Sequence, residues 1–549
     1  MSKRKKVKKK PTKQTEQTTQ TTLDRFFGTL DKHPYLFTAL ACVLMLPLGF
    51  AQVENITPFG IVIEAILWIA GATAFVAFCR PSNKRNVNIY LIVSSAALAI
   101  GYSALVHYDS QLSWWLFAPV LIGLAQLAVV LQREKKLTAD RLVLMMILLG
   151  VAARYSYCLM HDYTQMQHDM GVFLGDIGHA GYISYWYENG FTLPEFDVTR
   201  YWQFYHPPLH HILMAGLLHF FTDFFGMPFD TAKEAIQILP MLYSALCMVV
   251  CRSIFRRVGL KGGGLAAAML IVCFYPTFII WSGAYNNDIL TTLLMLLAIL
   301  WTLKWAEKPT LLRILPIALC VGCGMMSKLS AWMVAPAIAM VFVWVFIRNI
   351  RKPLRFIGQY AAFGAVCAPL ALWWGVRNLI KFEIPLTYVP DPNLSVMSVE
   401  DTPVLQRLFD FSFAQLSYPF EAFTMYGAPY NEYNPLMGLI KTSIFDEYCE
   451  DLTFAPLMTV FVVLALVLTV LSVAGYLIML FKKHDGMDVM TKLFFTVILL
   501  TILISYYAFC FQFPYVCTEN IRYCIPVIPI LAMGFGFGIQ LLKKKKTAA

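Results

Sequence analysis

Charge is scarce in this chain. Of its 549 residues only 14% are Asp, Glu, Lys or Arg, against about 25% in soluble globular proteins. That scarcity excludes a soluble enzyme. With 58% hydrophobic residues and a mean hydropathy of +0.61, a disordered chain is excluded as well. A P-loop, a Walker pair, a dinucleotide fingerprint and a zinc motif are all missing, so nothing points to ATP-driven work. The alternating ten-residue segments of a transmembrane β-barrel are missing too. The thirteen cysteines have no metal-type spacing. Cys320 and Cys323 form a C-x-x-C, but inside an apolar run, where packing accounts for them. The net charge of +11 does not mark a nucleic-acid partner, because Lys and Arg occur in short clusters between apolar runs, as topology determinants do.

What the chain has is a succession of apolar runs of about 20 residues, the length that crosses a bilayer as a helix. They predict an all-α polytopic membrane protein with about fourteen spans: 35–52, 59–79, 88–106, 113–131, 141–160, 235–255, 262–284, 289–305, 311–327, 330–347, 355–374, 456–481, 492–511 and 523–542. The first run begins near Tyr35, behind a basic stretch too long for a typical secretory leader, and is expected to be retained. Residues 1–34 read as a basic, disordered cytoplasmic tail, 35–139 as a four-span N-terminal addition, and 140–545 as the core.

Charge orients the spans. The N-terminal tail, the KKKK run at 543–546 and every second connection between spans hold 35 of the 44 Lys and Arg. By the positive-inside rule these segments and both termini are cytoplasmic. The stretch 207–225, PPLHHILMAGLLHFFTDFF, would break this parity if it crossed. Its three histidines and two prolines suit a helix lying in the outer interface. Two long outer loops result, 158–234 and 375–455, and the chemistry is expected there, on the extracytoplasmic face of the membrane (the cell membrane in a bacterium).

Candidate site residues gather on that face. Asp169, Asp176 and His179 are spaced to share one side of a helix. RYWQFYHPPLHH supplies His206 and His210, with Pro207 and Pro208 making a rigid turn. WSGAYNND brings Asn286, Asn287 and Asp288 to the outer ends of two spans, where unpaired burial would cost several kcal/mol. Cations are few on this side: Lys328, Arg377 beside Asn378, and Arg522 beside Glu519, Asn520 and Tyr523. Arginine forks suit phosphate oxygens.

In this order, these features resemble the GT-C superfamily of membrane glycosyltransferases, closest to its protein O-mannosyltransferase-like and lipid A aminoarabinose transferase-like members. The matching features are the acidic first outer loop, FYHPPLHH, the later NND, Arg377-Asn378 with Pro385, and Arg522-Tyr523 with Pro526 and Pro529. The resemblance covers about 140–545. It implies an inverting transfer from a polyprenyl-phosphate-linked sugar to an acceptor hydroxyl or amine on a glycan, lipid or protein outside the cytosol. Its catalytic Asp maps to Asp169 or Asp176, with Asp169 favoured for its closeness to the span end. Asp176 and His179 would then tune that group. His206, His210, Asn287, Asp288, Lys328, Arg377, Asn378, Glu519, Arg522 and Tyr523 would bind substrate, and the loop stretch MYGAPYNEYNP would hold the acceptor. The resemblance requires no cofactor and assigns no metal ligand, although the acidic outer face could take a divalent cation. Alternatives are a transporter or flippase of lipid-linked glycans and a non-catalytic scaffold.

Overall fold

The computed structural model describes residues 82–391, 397–411, 432–447, 455–483 and 487–546, with a few isolated positions before 82. The basic tail, the first two expected spans and most of MYGAPYNEYNP lie outside the described residues. Within them the chain is helical, with one isolated bridge, Ser398 to Tyr515.

α1 (Arg85–Tyr108), α2 (Phe117–Arg133) and α3 (Ala139–Met160) follow one another through short turns. Thr138 starts α3 by accepting the Arg141 amide, satisfying one of the donors a helix leaves open at its first turn. The first long loop holds α4 (Gly178–Glu188) and α5 (Leu209–His219). Then come α6 (Phe229–Ala235), α7 (Ile238–Arg257), α8 (Gly262–Phe274), α9 (Pro276–Ile280), α10 (Asp288–Glu307), α11 (Leu311–Ser327), α12 (Ala335–Arg348) and α13 (Pro353–Phe382). The second long loop holds α14 (Val404–Phe409) and α15 (Pro435–Phe445). α16 (Ala455–Phe481), α17 (Val489–Gln512) and α18 (Val527–Lys546) complete the bundle.

Among the described residues nine helices are long and apolar enough to cross a membrane, or ten if Val516–Tyr523 and Val527–Leu542, bent by 60°, form one span. Each predicted span from 88–106 onward coincides with a helix. Two, over 262–284 and 311–327, coincide with the shorter apolar helices α8 and α11. α5 has 11 residues and rises about 16 Å, roughly half the hydrocarbon thickness. It runs on into the π-helical turn Phe220–Phe224 and is not among the helices long and apolar enough to cross a membrane; its His210, His211, Met214, Ala215 and Leu218 face the protein.

α18 packs between α8 and α16. Glycines let the backbones touch: a Cβ on Gly536 would lie 2.6 Å from the Gly264 carbonyl, and one on Gly475 would lie 2.3 Å from that of Gly534. In lipid, where no hydrophobic force drives helices together, such close backbone packing is a main source of association.

The break between α8 and α9 has an identifiable cause. Pro276 has no N–H, so the Val272 carbonyl loses its helical donor, and the chain turns at Tyr275. Arg154, fully buried on α3, supplies the replacement. It donates to the carbonyls of Cys273 (2.8 Å), Val272 (3.3 Å) and Gly150 (2.9 Å), and to Ser244 Oγ (2.7 Å). Arg154→Met should therefore destabilise the bundle by about 3 kcal/mol, the cost of stranding buried carbonyls, and Arg154→Lys should recover part of it. Thermal unfolding of the purified chain in detergent checks this, and an unchanged midpoint for Arg154→Met would refute it.

At one end of the bundle Arg252 and Arg256 lie 3.5 Å from Asp140, and Arg257 pairs with Glu307. The two long loops and the segment 516–523 meet at the other end, joined by His168–Asp446 and Arg522–Asp169 contacts.

Candidate active site

Glycine shapes the first long loop. After Met160 the chain leaves α3, runs to Met170 and doubles back before α4. Gly171 (φ +64°) and Gly178 (φ +78°) make the turn. A Cβ at Gly171 would lie 1.9 Å from the Ile177 carbonyl oxygen, and one at Gly178 would lie 2.4 Å from that of Met170, so no other residue fits either place. The amides of His179 and Ala180 then donate to the carbonyls of Asp169 (2.9 Å) and Met170 (2.8 Å). Asp169 itself is left-handed, φ +52°, a conformation Asp and Asn tolerate better than most side chains.

This turn presents the Asp169 carboxylate to two donors. Arg522 Nη1 reaches Oδ2 at 3.0 Å, and Trp202 Nε1 reaches Oδ1 at 3.1 Å. The side chain is 28% exposed. Burial pushes its pKa up, but Arg522, His168 and the Trp202 hydrogen bond outweigh that and hold it below the ordinary carboxylate range. Asp169 is ionised at neutral pH.

Arg522 is set by its neighbours. The Asn520 side chain accepts the Arg522 amide at 2.8 Å and starts the 3₁₀ turn Ile521–Tyr523. Nη2 donates to Tyr523 Oη at 2.7 Å, and the guanidinium lies 4.8 Å from the Tyr523 ring centroid. Lys328 Nζ approaches the same ring, at 5.3 Å, and pairs with Asp288 Oδ1 at 2.5 Å. Asp288 opens α10, where a carboxylate complements the helix dipole. Asn287 Nδ2 donates to the Ser327 carbonyl (2.7 Å), tying the start of α10 to the end of α11 just ahead of Lys328. Two cations thus flank Tyr523. A small cleft beside them is lined by Asp288, Thr291, Thr292, Ser330, Arg522 and Tyr523 together with Met295, Met333, Ile502 and Pro526.

His206 lies within electrostatic reach of Lys328, Asp169 and Arg522. Its ring nitrogens make no hydrogen bond among the described residues, and its ring stacks 5.9 Å from that of His179. Burial, with Lys328 next in effect, brings His206 down to about 3, so it is neutral. His179 Nδ1 and His211 Nε2 are within hydrogen-bond distance of each other, at 2.9 Å. Burial holds both rings well below the usual imidazole range.

Behind Asp169, His168 Nε2 lies 2.9 Å from Asp446 Oδ2, and Asn520 Nδ2 donates to both Asp446 (2.7 Å) and Glu447 (2.6 Å). Burial lowers the His168 pKa, but the two carboxylates more than restore it.

A carboxylate and two cations beside a partly apolar cleft are parts that a lipid-phosphate-sugar transferase needs. Residues 206–373 match the dolichyl-phosphate-mannose-protein mannosyltransferase family. The GT-C resemblance is borne out over that stretch, which begins at His206 and contains Asp288 and Lys328. The match supports a membrane glycosyltransferase of mannosyltransferase type that uses a polyprenyl-phosphate-linked sugar. No curated protein matches the chain.

The remaining expected residues lie elsewhere. The helical face expected for Asp169, Asp176 and His179 is not formed, because the glycine turn breaks it. Of the three only His179 is helical, and Asp176 is exposed. Arg377 donates to the Pro194 carbonyl and to Asn378 Oδ1 (2.7 Å) and lies over Trp374 and Phe382, so it does not join Arg522 at Asp169. His210 is fully buried, its Nε2 on the Tyr285 carbonyl at 2.8 Å. Glu519 is also fully buried and pairs with Arg407 at 3.2 Å, fastening the second long loop rather than facing the cleft. Sequence reasoning passed over His168, Trp202, Arg407, Asp446 and Glu447. The adjacent acids of IFDEY were the available signal.

Proposed function

We propose that this chain is an inverting glycosyltransferase that moves a sugar from a polyprenyl phosphate to an acceptor on the extracytoplasmic face, with Asp169 as general base. The observation that carries this reading is the Asp169 carboxylate, partly exposed and paired with Arg522, which lines a cleft with Tyr523 and with Asp288, the partner of Lys328. In this scheme the donor phosphate takes Arg522 and Lys328, with its prenyl chain on the side of Met295, Met333 and Ile502. Asp169 accepts the proton of the acceptor hydroxyl or amine as that group attacks the anomeric carbon from the face opposite the phosphate. The bond from that carbon to the phosphate oxygen breaks, and the polyprenyl phosphate leaves with its new charge on the two cations. The segregation of Lys and Arg to the far end of the bundle supports the extracytoplasmic placement.

Arg522 has a second task in this scheme. Before the donor binds it holds Asp169 ionised. Once the phosphate occupies the guanidinium, Asp169 loses that partner and becomes a stronger base. The acid limb of transfer should lie below the range of an ordinary carboxylate in the free enzyme, since a depressed pKa keeps the base form present until low pH. In Arg522→Gln it should move to higher pH, and an unmoved limb would show that Asp169 is not the titrating group.

The test uses the purified chain in liposomes with a polyprenyl-phosphate mannose labelled in the sugar. Label should pass to an acceptor with inverted anomeric configuration, releasing polyprenyl phosphate. Label that crosses the bilayer still bound to lipid would establish the transporter reading instead.

A further inference from the structure

Three side chains that the transfer scheme does not use converge behind Asp169. His168 precedes Asp169 directly, whereas Asp446 and Glu447 follow α15, 278 residues on from His168 in the case of Asp446. All three are buried: the His168 side chain is 4% exposed and each carboxylate 1%. His168 Nε2 lies 2.9 Å from Asp446 Oδ2, and its Nδ1 lies 3.6 Å from Glu447 Oε2. One ligating atom from each residue falls within 4.8 Å of the other two. A single ion with bonds of about 2.0–2.2 Å to nitrogen and oxygen spans such a group. This is the one His, Cys, Asp and Glu group of that kind among the described residues.

Charge makes the same point. Consecutive carboxylates held out of water repel each other, and burial alone disfavours both charges. Among the described residues the Asn520 amide donates to both, and the His168 ring lies against each. A divalent ion would balance the two carboxylates.

We propose that His168, Asp446 and Glu447 bind one divalent cation and that the ion clasps the two long loops beside Asp169. One imidazole nitrogen with two carboxylates suits zinc or manganese, whereas magnesium and calcium prefer oxygen alone. In the bound form the ion replaces the proton that otherwise joins His168 to Asp446. The ion's role is positional: it fixes His168, and through it the turn that presents Asp169.

Binding can be read without any transfer activity, so the proposal can fail while the glycosyltransferase reading stands, and the reverse. The full chain, purified in detergent and stripped with chelator, is titrated with manganese(II) and followed by electron paramagnetic resonance. The expected result is one ion per chain at micromolar affinity, displaced by zinc, with a nitrogen coupling from one imidazole. Asp446→Asn and His168→Leu should each weaken binding on the order of 100-fold or more, and His168→Leu should erase the nitrogen coupling. Chelator should lower the unfolding temperature of the wild-type chain. Manganese binding only at millimolar concentration, or equal binding by the variants, would overturn the assignment. Should a variant fail to fold, the wild-type spectrum decides alone: an imidazole coupling supports the site and its absence refutes it.

Discussion

Asp169→Asn should reduce transfer about 10³-fold, the middle of the range for a general base, and leave the fold intact. Asn tolerates the left-handed backbone at this position as Asp does, and its carbonyl oxygen still accepts from one of the two donors that Asp169 now satisfies, Trp202 or Arg522. The loss should therefore appear in kcat and not in the unfolding temperature. Asp176→Asn is the matched control. Its side chain is exposed and takes no part in the Arg522 and Trp202 contacts of Asp169, and transfer by that variant should stay near wild type. Equal losses in both would mean that the loop, not the carboxylate, matters.

The second large effect is expected at the cations. Arg522→Ala should cost roughly 10²–10³-fold in transfer, as removal of one preorganised donor to a developing anion does. Arg522→Lys should recover little, because an ammonium cannot span Asp169 and Tyr523 as the guanidinium fork does. Lys328→Met needs a partner substitution, because it strands the buried Asp288 carboxylate. The pair Lys328→Met with Asp288→Asn separates the lost cation from that damage. Steady-state transfer in liposomes, with donor varied, measures all three. Wild-type kcat/KM in Arg522→Ala would remove the phosphate-stabilising role.

The helices were legible because the bilayer imposes one rule on every span: enough apolar residues in a row to satisfy the backbone out of water. Asp169, Lys328 and Arg522 were legible because charge at the end of an apolar run is costly and so stands out. The local shape around Asp169 was not. A spacing of seven and three between Asp169, Asp176 and His179 suits a helix, yet Gly171 and Gly178 take positive φ and fold the stretch back on itself. Arg377 carried the same surface signal as Arg522 but is drawn off by the Pro194 carbonyl and two aromatic rings. His168 with Asp446 and Glu447 was hidden for a different reason. Hydropathy sets the spans but contains no register for the loops between them, so contacts nearly 300 residues apart in the chain appear only once the loops are folded.

The most direct measurement is equilibrium binding of a polyprenyl phosphate to the wild-type chain, Asp169→Asn and Arg522→Ala. Asp169 and the lipid phosphate compete for one guanidinium, so Asp169→Asn should bind the lipid more tightly than wild type while failing to transfer, and Arg522→Ala should bind it least. Weaker binding in Asp169→Asn, or undiminished binding in Arg522→Ala, would contradict a shared site for base and phosphate.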